Sequence, residues 1–408
     1  MSECADNRPL EPLTFGQRVR SARERAGQSR AVLGGLVGRS PEWVKAIEYG
    51  RLQVPRLPLL LRLADVLGVQ DLAELTGEDR VAAVTHTKTA HASLPAVRTA
   101  LTTYLLSARD EEPASGTELG RRVAHAWRVW HGIGAHRTQT AVLLPDLLAD
   151  CQYAARTLTG TEKRRALVAL AETYHLAQLY LSFQPAPELV MLTGDRAMAA
   201  AQDADSPRAM AAAAWYMNHV FRDAGERHEA RVDLAMKAAN LLRPDHASED
   251  LARWGMLHLA AALSYARVGR RGDAERFWDR ANDAARRLGD GYAHPYLIFG
   301  RTMVEAYAIT MRVDLMQPGE AVDAANSVDV SALPSSTRRA FHEIETARAY
   351  SQKGEEVATV TLLKRAFETS PETTRFNRFT LGALRDLPQD GVVGHDVRYL
   401  RAKLGVTA

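Results

Sequence analysis

After Pro95 the apolar positions recur three and four residues apart, and no stretch alternates convincingly as a half-buried strand would. Ahead of that long helical part lies a shorter block with sharper punctuation. In GRSPEWVKAIEYGR, from Gly38 to Arg51, Val44 and Ile47 mark one short apolar face and leave Pro41, Glu42, Lys45, Ala46 and Tyr49 outside. Ser40 suits the N-cap, where its hydroxyl accepts from an otherwise orphaned backbone N–H. Pro41 then stands at the first helical position, where a missing N–H costs nothing. Gly50 supplies the stop. Upstream, Phe15 to Ala26 reads as a helix, Gly27–Gln28 as a turn, and Ser29 as the cap of Arg30 to Val37. Gly38 breaks the chain just before Ser40, which predicts a tight helix–turn–helix corner. Two further helices, Leu57 to Leu67 and Asp71 to Leu75, complete a five-helix block.

The expected domains follow from these shifts in pattern. Residues 1–13 carry two prolines and several acids and read as a loose tail. Residues 14–77 form the compact block, 78–94 lose periodicity and read as a linker, and 95–408 form the helical part. That part repeats. AGERHEA (224–230), VGRRGDA (268–274) and QKGEEVA (352–358) each separate two apolar helical stretches. Gly225 to Gly269 is 44 residues and Gly269 to Gly354 is 85, so an intervening turn is expected near Arg312–Asp314. Stacked helix pairs, each burying its apolar face on the next, give such self-similarity. About six pairs are expected from Thr117, with 378–406 as a terminal cap.

Charge sharpens the picture. The whole chain carries only +3, yet Phe15 to Arg62 holds ten Lys/Arg against three acids. A local basic field on a balanced protein is the footprint expected for a phosphate-backbone partner. Cys4 and Cys151 make neither a disulfide framework nor a metal spacing, which fits a reducing cytoplasm. No apolar run reaches membrane-spanning length, and the N-terminus lacks a signal-peptide core. The Ala- and Arg-rich, Lys-poor usage resembles that of a high-GC bacterial genome.

From Arg18 to Gly77 the order of helices, turn glycines and apolar positions resembles the phage-repressor (Cro/CI, or XRE) helix-turn-helix family. The marks are Arg23, Gly27, Ser29, Leu33, Gly38, Ser40, Ile47, Glu48, Gly50, Pro55, Arg56 and LADVLGV from Leu63 to Val69. The resemblance implies double-stranded DNA as a partner, with Pro41, Glu42 and Ala46 at the base-reading positions and Lys45, Trp43 and Tyr49 nearby. Pro41 and Ala46 cannot hydrogen-bond a base edge, though Glu42 can accept from cytosine N4, so no operator sequence carries over. Ser29, Arg30, Ser40 and Arg51 match phosphate-contacting positions, and Arg56 matches one that enters the minor groove. Arg23 and Glu48 match a pair that ties the first helix to the recognition helix. Arg18, Arg20 and Arg25 read as a solvated helix face. One such module buries little surface, so a homodimer on half-sites about one DNA turn apart is expected.

The best repeat resembles the tetratricopeptide pattern, with Ala262, Tyr265, Gly269, Ala274, Trp278 and Ala281 at its marked positions. The period is longer than the usual ~34 residues. The expected fold is therefore all-α: a five-helix repressor-type domain followed by an α-solenoid of tetratricopeptide-like pairs. Counting back from each turn puts Tyr174, Gln178, Trp215, His219, Arg222, Met256, Leu259, Leu263, Arg267, Met303, Tyr307, Ile344 and Arg348 on the concave face. That lining suits a short peptide or an amphipathic acid as effector, although the same register also suits inter-helix core. The arrangement also resembles the peptide-sensing RRNPP regulators and many actinobacterial regulators.

Enzyme chemistry finds no foothold. His125, His131 and His136 are spaced six and five apart, and His86–His91 five, so none forms an i, i+4 ligand pair. There is no phosphate loop, nucleophile elbow or recognisable carboxylate pair, and no metal or cofactor is expected. The expected function is a ligand-responsive transcription regulator. The alternative is an interaction adaptor whose repeats grip a protein, with DNA binding secondary.

Overall fold

The computed structural model describes residues 13–77, 89–106, 110–132, 134–224 and 227–406, without the side chains of 222–224. The chain divides into two compact units, 1–87 and 88–408. The described residues contain helices and no strand, as the pattern of apolar positions predicts.

The first unit consists of α1 (Phe15–Arg25), α2 (Arg30–Val37), α3 (Pro41–Glu48), α4 (Leu57–Leu67) and the short α5 (Ala73–Thr76). Val19, Leu33, Val44, Ile47, Leu60, Leu63 and Leu75 meet in its core. Thr14 caps α1 reciprocally with Gln17, a capping box that fixes the start of the first helix. Gly38 ends α2 at φ 67°, and the next amide, Arg39 N–H, reaches back to Gly34 O at 2.8 Å. That closure brings the turn onto the helix. A Cβ on Gly34 would lie only 2.8 Å from Arg39 O, so the corner admits no side chain there.

The second unit opens with α6 (Leu94–Thr102) and continues as six helix pairs. Their first members are α7 (Gly116–His131), α9 (Gly160–Leu181), α11 (Pro207–Ala224), α13 (Ser248–Arg267), α15 (Arg301–Asp314) and α17 (Ser336–Lys353). Their second members are α8 (His136–Thr157), α10 (Pro187–Asp203), α12 (His228–Ala239), α14 (Arg271–Leu288), α16 (Pro318–Ser327) and α18 (Glu356–Thr369). Short helices α19 (Pro371–Phe376), α20 (Arg378–Asp386) and α21 (Gly394–Leu404) follow, the last two packing as the expected cap. Each first member touches the next, and α17 touches α7, so the six form a closed inner ring.

Three of the turns within pairs share one construction. At Gly269 (φ 78°) the following amide bonds Tyr265 O, and at Gly354 (φ 80°) the following amide bonds Tyr350 O. The turn expected near Arg312–Asp314 falls slightly later, because Leu315 N–H still bonds Met311 O in helical fashion. Met316, at φ 61°, takes the left-handed place there, and Gln317 N–H closes on Arg312 O. A methionine in that conformation hides the repeat from sequence inspection. Gly225, the remaining expected turn, lies outside the described residues.

Two expectations change with the ring. Residues 89–94 were expected to lie in the linker, yet His91 is buried, its amide donating to Gln184 Oε1 at 2.6 Å and its Nδ1 accepting from Tyr180 Oη. Most of the anticipated groove lining is core. Tyr174, Gln178, Trp215, Met256, Leu259, Met303, Tyr307 and Ile344 are all buried, since a helix ring closed on itself packs its inner faces together. Leu263 and His219 are half-buried, His219 edge-on to Trp215 with centroids 4.8 Å apart. Arg267 and Arg348 both face Asp314, at 3.9 and 2.7 Å. The Arg222 side chain lies outside the described residues.

The closing contact is polar. Glu372 accepts from Arg137 N–H at 2.6 Å and from Thr138 Oγ1 at 2.5 Å, at the N-terminus of α8 and 235 and 234 positions away in sequence. A carboxylate there satisfies amides that a helix start leaves orphaned. Beside it, buried Arg137 donates to Tyr180 O at 2.7 Å and lies over the rings of Trp130, Phe183 and Phe376.

Gly269→Val forces a β-branched residue to φ 78° and should cost more than about 1 kcal/mol, lowering the thermal midpoint. Exposed Asp205 already sits at φ 47°, so Asp205→Gly should leave the midpoint unchanged or raise it. Acid should act on the same unit. Burial holds His131, His136, His294 and His342 neutral, with pKa values pushed down to about 3, and His258 to about 4. A depressed histidine contributes stability that is complete above the unfolded pKa and is lost as pH falls below it. Each should therefore remove about 1.4 kcal/mol per unit below about pH 6.5. Residues 1–77 contain no histidine. Calorimetry should show the helical unit's transition sliding down between about pH 6.5 and 5, and a transition that stays put contradicts this account.

Candidate nucleic-acid interface

Three helices of the first unit converge on one carboxylate. Glu48, at the end of α3, has a fully buried side chain. Arg23 of α1 donates from Nε to Glu48 Oε1 at 2.5 Å, and Arg30 of α2 donates from Nε to Oε2 at 2.8 Å. Arg23 also donates from Nη1 to Gln28 O at 2.8 Å, pinning the turn between α1 and α2. The Arg23–Glu48 pair expected from the family resemblance is thus present, and Arg30 joins it. Gly16 completes the fit, since a Cβ there would overlap Ile47 O, where α1 crosses α3.

This frame presents the first turns of α3 outward. Pro41, Glu42 and Lys45 are exposed, Tyr49 is 58% exposed, and Trp43 is half-buried against the core. Lys45 and, beyond Gly50, Arg51 are exposed cations with no carboxylate partner among the described residues. Arg56 is exposed ahead of α4. Ser29 is exposed and accepts from Val32 N–H at 3.2 Å, capping α2.

Three expected positions differ. Ala46 is 6% exposed instead of outward-facing, because α3 lies between α1 and α2 and buries a wider face than Val44 and Ile47 define. Ser40 is fully buried, its hydroxyl accepting from Trp43 N–H at 3.1 Å, so its side chain serves the helix start. Arg30 gives its Nε to Glu48 and lies 5.8 Å from the Tyr49 ring centroid, so its charge is partly compensated. Arg39, outside the expected set, places its guanidinium 5.6 Å from the Trp43 ring centroid. The i, i+4 spacing of these two was the available signal.

Of the remaining basic residues, Arg20 pairs with Glu24 at 2.9 Å and Arg25 with Glu74 at 3.7 Å, both on exposed surface. Arg18 donates from Nε to Leu13 O. Such exposed pairs contribute little. Among the described residues no group of histidine, cysteine or acidic side chains could hold a metal ion, and no helix is long and apolar enough to cross a membrane.

Comparison with known families agrees with this geometry. Residues 14–76 match the family model of a helix-turn-helix domain. No curated protein matches the chain. The matched segment coincides with α1 to α5, and it marks the first unit as a DNA-binding module of the kind transcription regulators carry.

Removing the shared carboxylate should undo the module. Glu48→Ala leaves buried Arg23 with only the longer, exposed Glu24 as a counter-charge and should cost about 3 kcal/mol. Hydrogen exchange should then show protection lost across residues 14–76 while the helical unit keeps its own. Unchanged protection would mean that the ion cluster does not hold the helices together.

Proposed function

We propose that the protein is a sequence-specific, ligand-responsive transcription regulator that binds DNA as a homodimer. The observation that carries this reading is the outward face of α3, with Glu42, Lys45 and Tyr49 exposed on a helix fixed from behind by Glu48. Such a helix fits the major groove with its first turns against base edges. Glu42 reads cytosine N4, while Lys45 and Arg51 supply positive charge for phosphates. Tyr49, Arg39 and Arg56 flank this face, and Ser29 and Arg30 sit at the start of α2. Pro41 and the edge of Trp43 offer apolar contact to a thymine methyl.

One unit of this size reads too few base pairs for a genomic address, so two copies on half-sites about one helical turn apart are proposed. The helical unit is the sensor. Its inner faces are packed together, which leaves no long groove for an extended peptide and favours a small effector. The tetratricopeptide-like and RRNPP-like resemblance supports sensing in general, and an effector acts only through different affinities for two states of the protein.

Selection of DNA sites in vitro with the purified chain tests the core of this reading, since failure to enrich any sequence refutes it. Against a selected site, Arg51→Ala should weaken binding to every sequence and lower the salt slope by about 0.9. Glu42→Ala should instead relax the preference at one base pair, costing about 1–3 kcal/mol of discrimination. An Arg51→Ala variant with the parental salt slope removes that residue from the phosphate contacts.

A further inference from the structure

The connection from α14 to α15, residues 289–300, is the longest between adjacent helices of the ring and is built inward. Leu297, Ile298 and Phe299 are buried, and the Tyr296 ring stacks on Trp127 with centroids 5.3 Å apart. His294 N–H bonds Phe299 O at 2.9 Å, and Ile298 N–H bonds His294 O at 2.8 Å. The loop thereby holds Ile298 at φ 57°, a conformation that β-branched residues avoid. Strain of this kind persists where the surroundings over-determine it, and it concentrates at ligand sites.

Ile298 forms part of the wall of a cleft of about 560 Å3 between this loop, the C-terminal turn of α7 and the segment before α17. That volume lies within the range of small-molecule sites. Pro295, Ala332 and Pro334 give the wall exposed apolar surface, over buried Met303 and Leu333. Two polar groups stand out on it. Arg128 is exposed and has no carboxylate partner among the described residues. His294 is 2% exposed, and its Nδ1 accepts from the amides of Tyr296 and Leu297, both at 3.1 Å. With Nδ1 an acceptor, the neutral ring carries its proton on Nε2 and has one donor uncommitted. Asp290, also on the cleft, is already held by Arg301 at 2.6 Å.

The same cleft joins the two ends of the ring. His131 donates from Nε2 to Tyr296 O at 2.9 Å, and its Nδ1 accepts from Ser335 Oγ at 2.9 Å, a residue 204 positions away. An occupant here touches the first ring helix, the inserted loop and the approach to the last ring helix at once.

We infer that this cleft binds a small apolar acid, its anion held by Arg128 and the Nε2–H of His294 and its body laid against Pro295, Ala332 and Pro334. That such an acid is the effector rests on the regulator reading above. Anilinonaphthalenesulfonate, an aromatic anion that fluoresces when shielded from water, is a suitable probe on the full chain, with phenylnaphthylamine as its uncharged counterpart. The expected result is saturable binding of one anion per chain, with the neutral probe about tenfold weaker. Arg128→Gln should erase that preference, and Ala332→Trp, at an exposed position on the cleft, should block both probes. Arg121→Gln, on the same helix but outside the cleft, should change nothing. Circular dichroism of each variant confirms that the helices persist. Probe binding indifferent to both Arg128→Gln and Ala332→Trp overturns the inference. A mobility-shift assay on the parental chain separates the two readings: loss of specific DNA retention with cleft binding intact defeats the regulator and leaves the ligand site standing.

Discussion

A carboxylate with no exposure to water must be compensated, and in the first unit that requirement falls on Glu48. Two guanidiniums from two other helices meet it, Arg23 at 2.5 Å and Arg30 at 2.8 Å. The net contribution of such a cluster to stability is modest, because burying the ions costs nearly what their attraction returns. Its consequence is geometric. A bidentate demand from one side and a second donor from the other leave few relative placements of α1, α2 and α3. Gly16 and Gly34 let the backbones approach closely enough to meet that demand. The outward aim of Glu42, Lys45 and Tyr49 is set from behind.

Much of this was legible in the sequence, and the failures have physical causes. Ser29, Ser40 and the glycines that stop α2 and α3 are local signals, each acting within a turn of itself, and each helix begins and ends where they indicate. Ala46 was misplaced because two apolar residues on an eight-residue helix fix the phase of one face, whereas α3 is flanked on two. Arg30 looked like any exposed arginine, since a partner 18 positions away leaves no local trace. In the helical unit the pairs around Gly269 and Gly354, and the turn between them, were legible from turn signals. The filled interior was not, because a residue facing a groove and one facing a neighbouring helix obey the same spacing. The contact between Glu372 and Arg137 spans 235 positions and has no periodicity at all.

The interior of that unit holds several polar rings in contact. His175 stacks on Tyr216 at 4.7 Å, Tyr307 meets His342 edge-on at 5.0 Å, and Arg338 donates to Tyr307 Oη at 3.0 Å. Among the described residues, Trp215 Nε1 and Tyr216 Oη are buried without a hydrogen-bonding partner. Unpaired polar atoms destabilise a packed core, and here they are spread over several helices, α8 and α17 among them, so this interior is not built for maximal stability alone.

Ring closure also fixes the size of the molecule. An open stack of helix pairs tolerates the gain or loss of a pair, because each pair answers only to its neighbours. Here the carboxylate of Glu372 must arrive at the start of α8, and Ser335 must arrive at His131, however many pairs intervene. One pair more or fewer would carry the end of the chain past its target and strand Arg137 among its aromatic rings. Duplication and deletion, the ordinary means by which repeat proteins diversify, are thereby closed to this unit. Its variation is confined to side chains and to connections such as the one carrying Ile298.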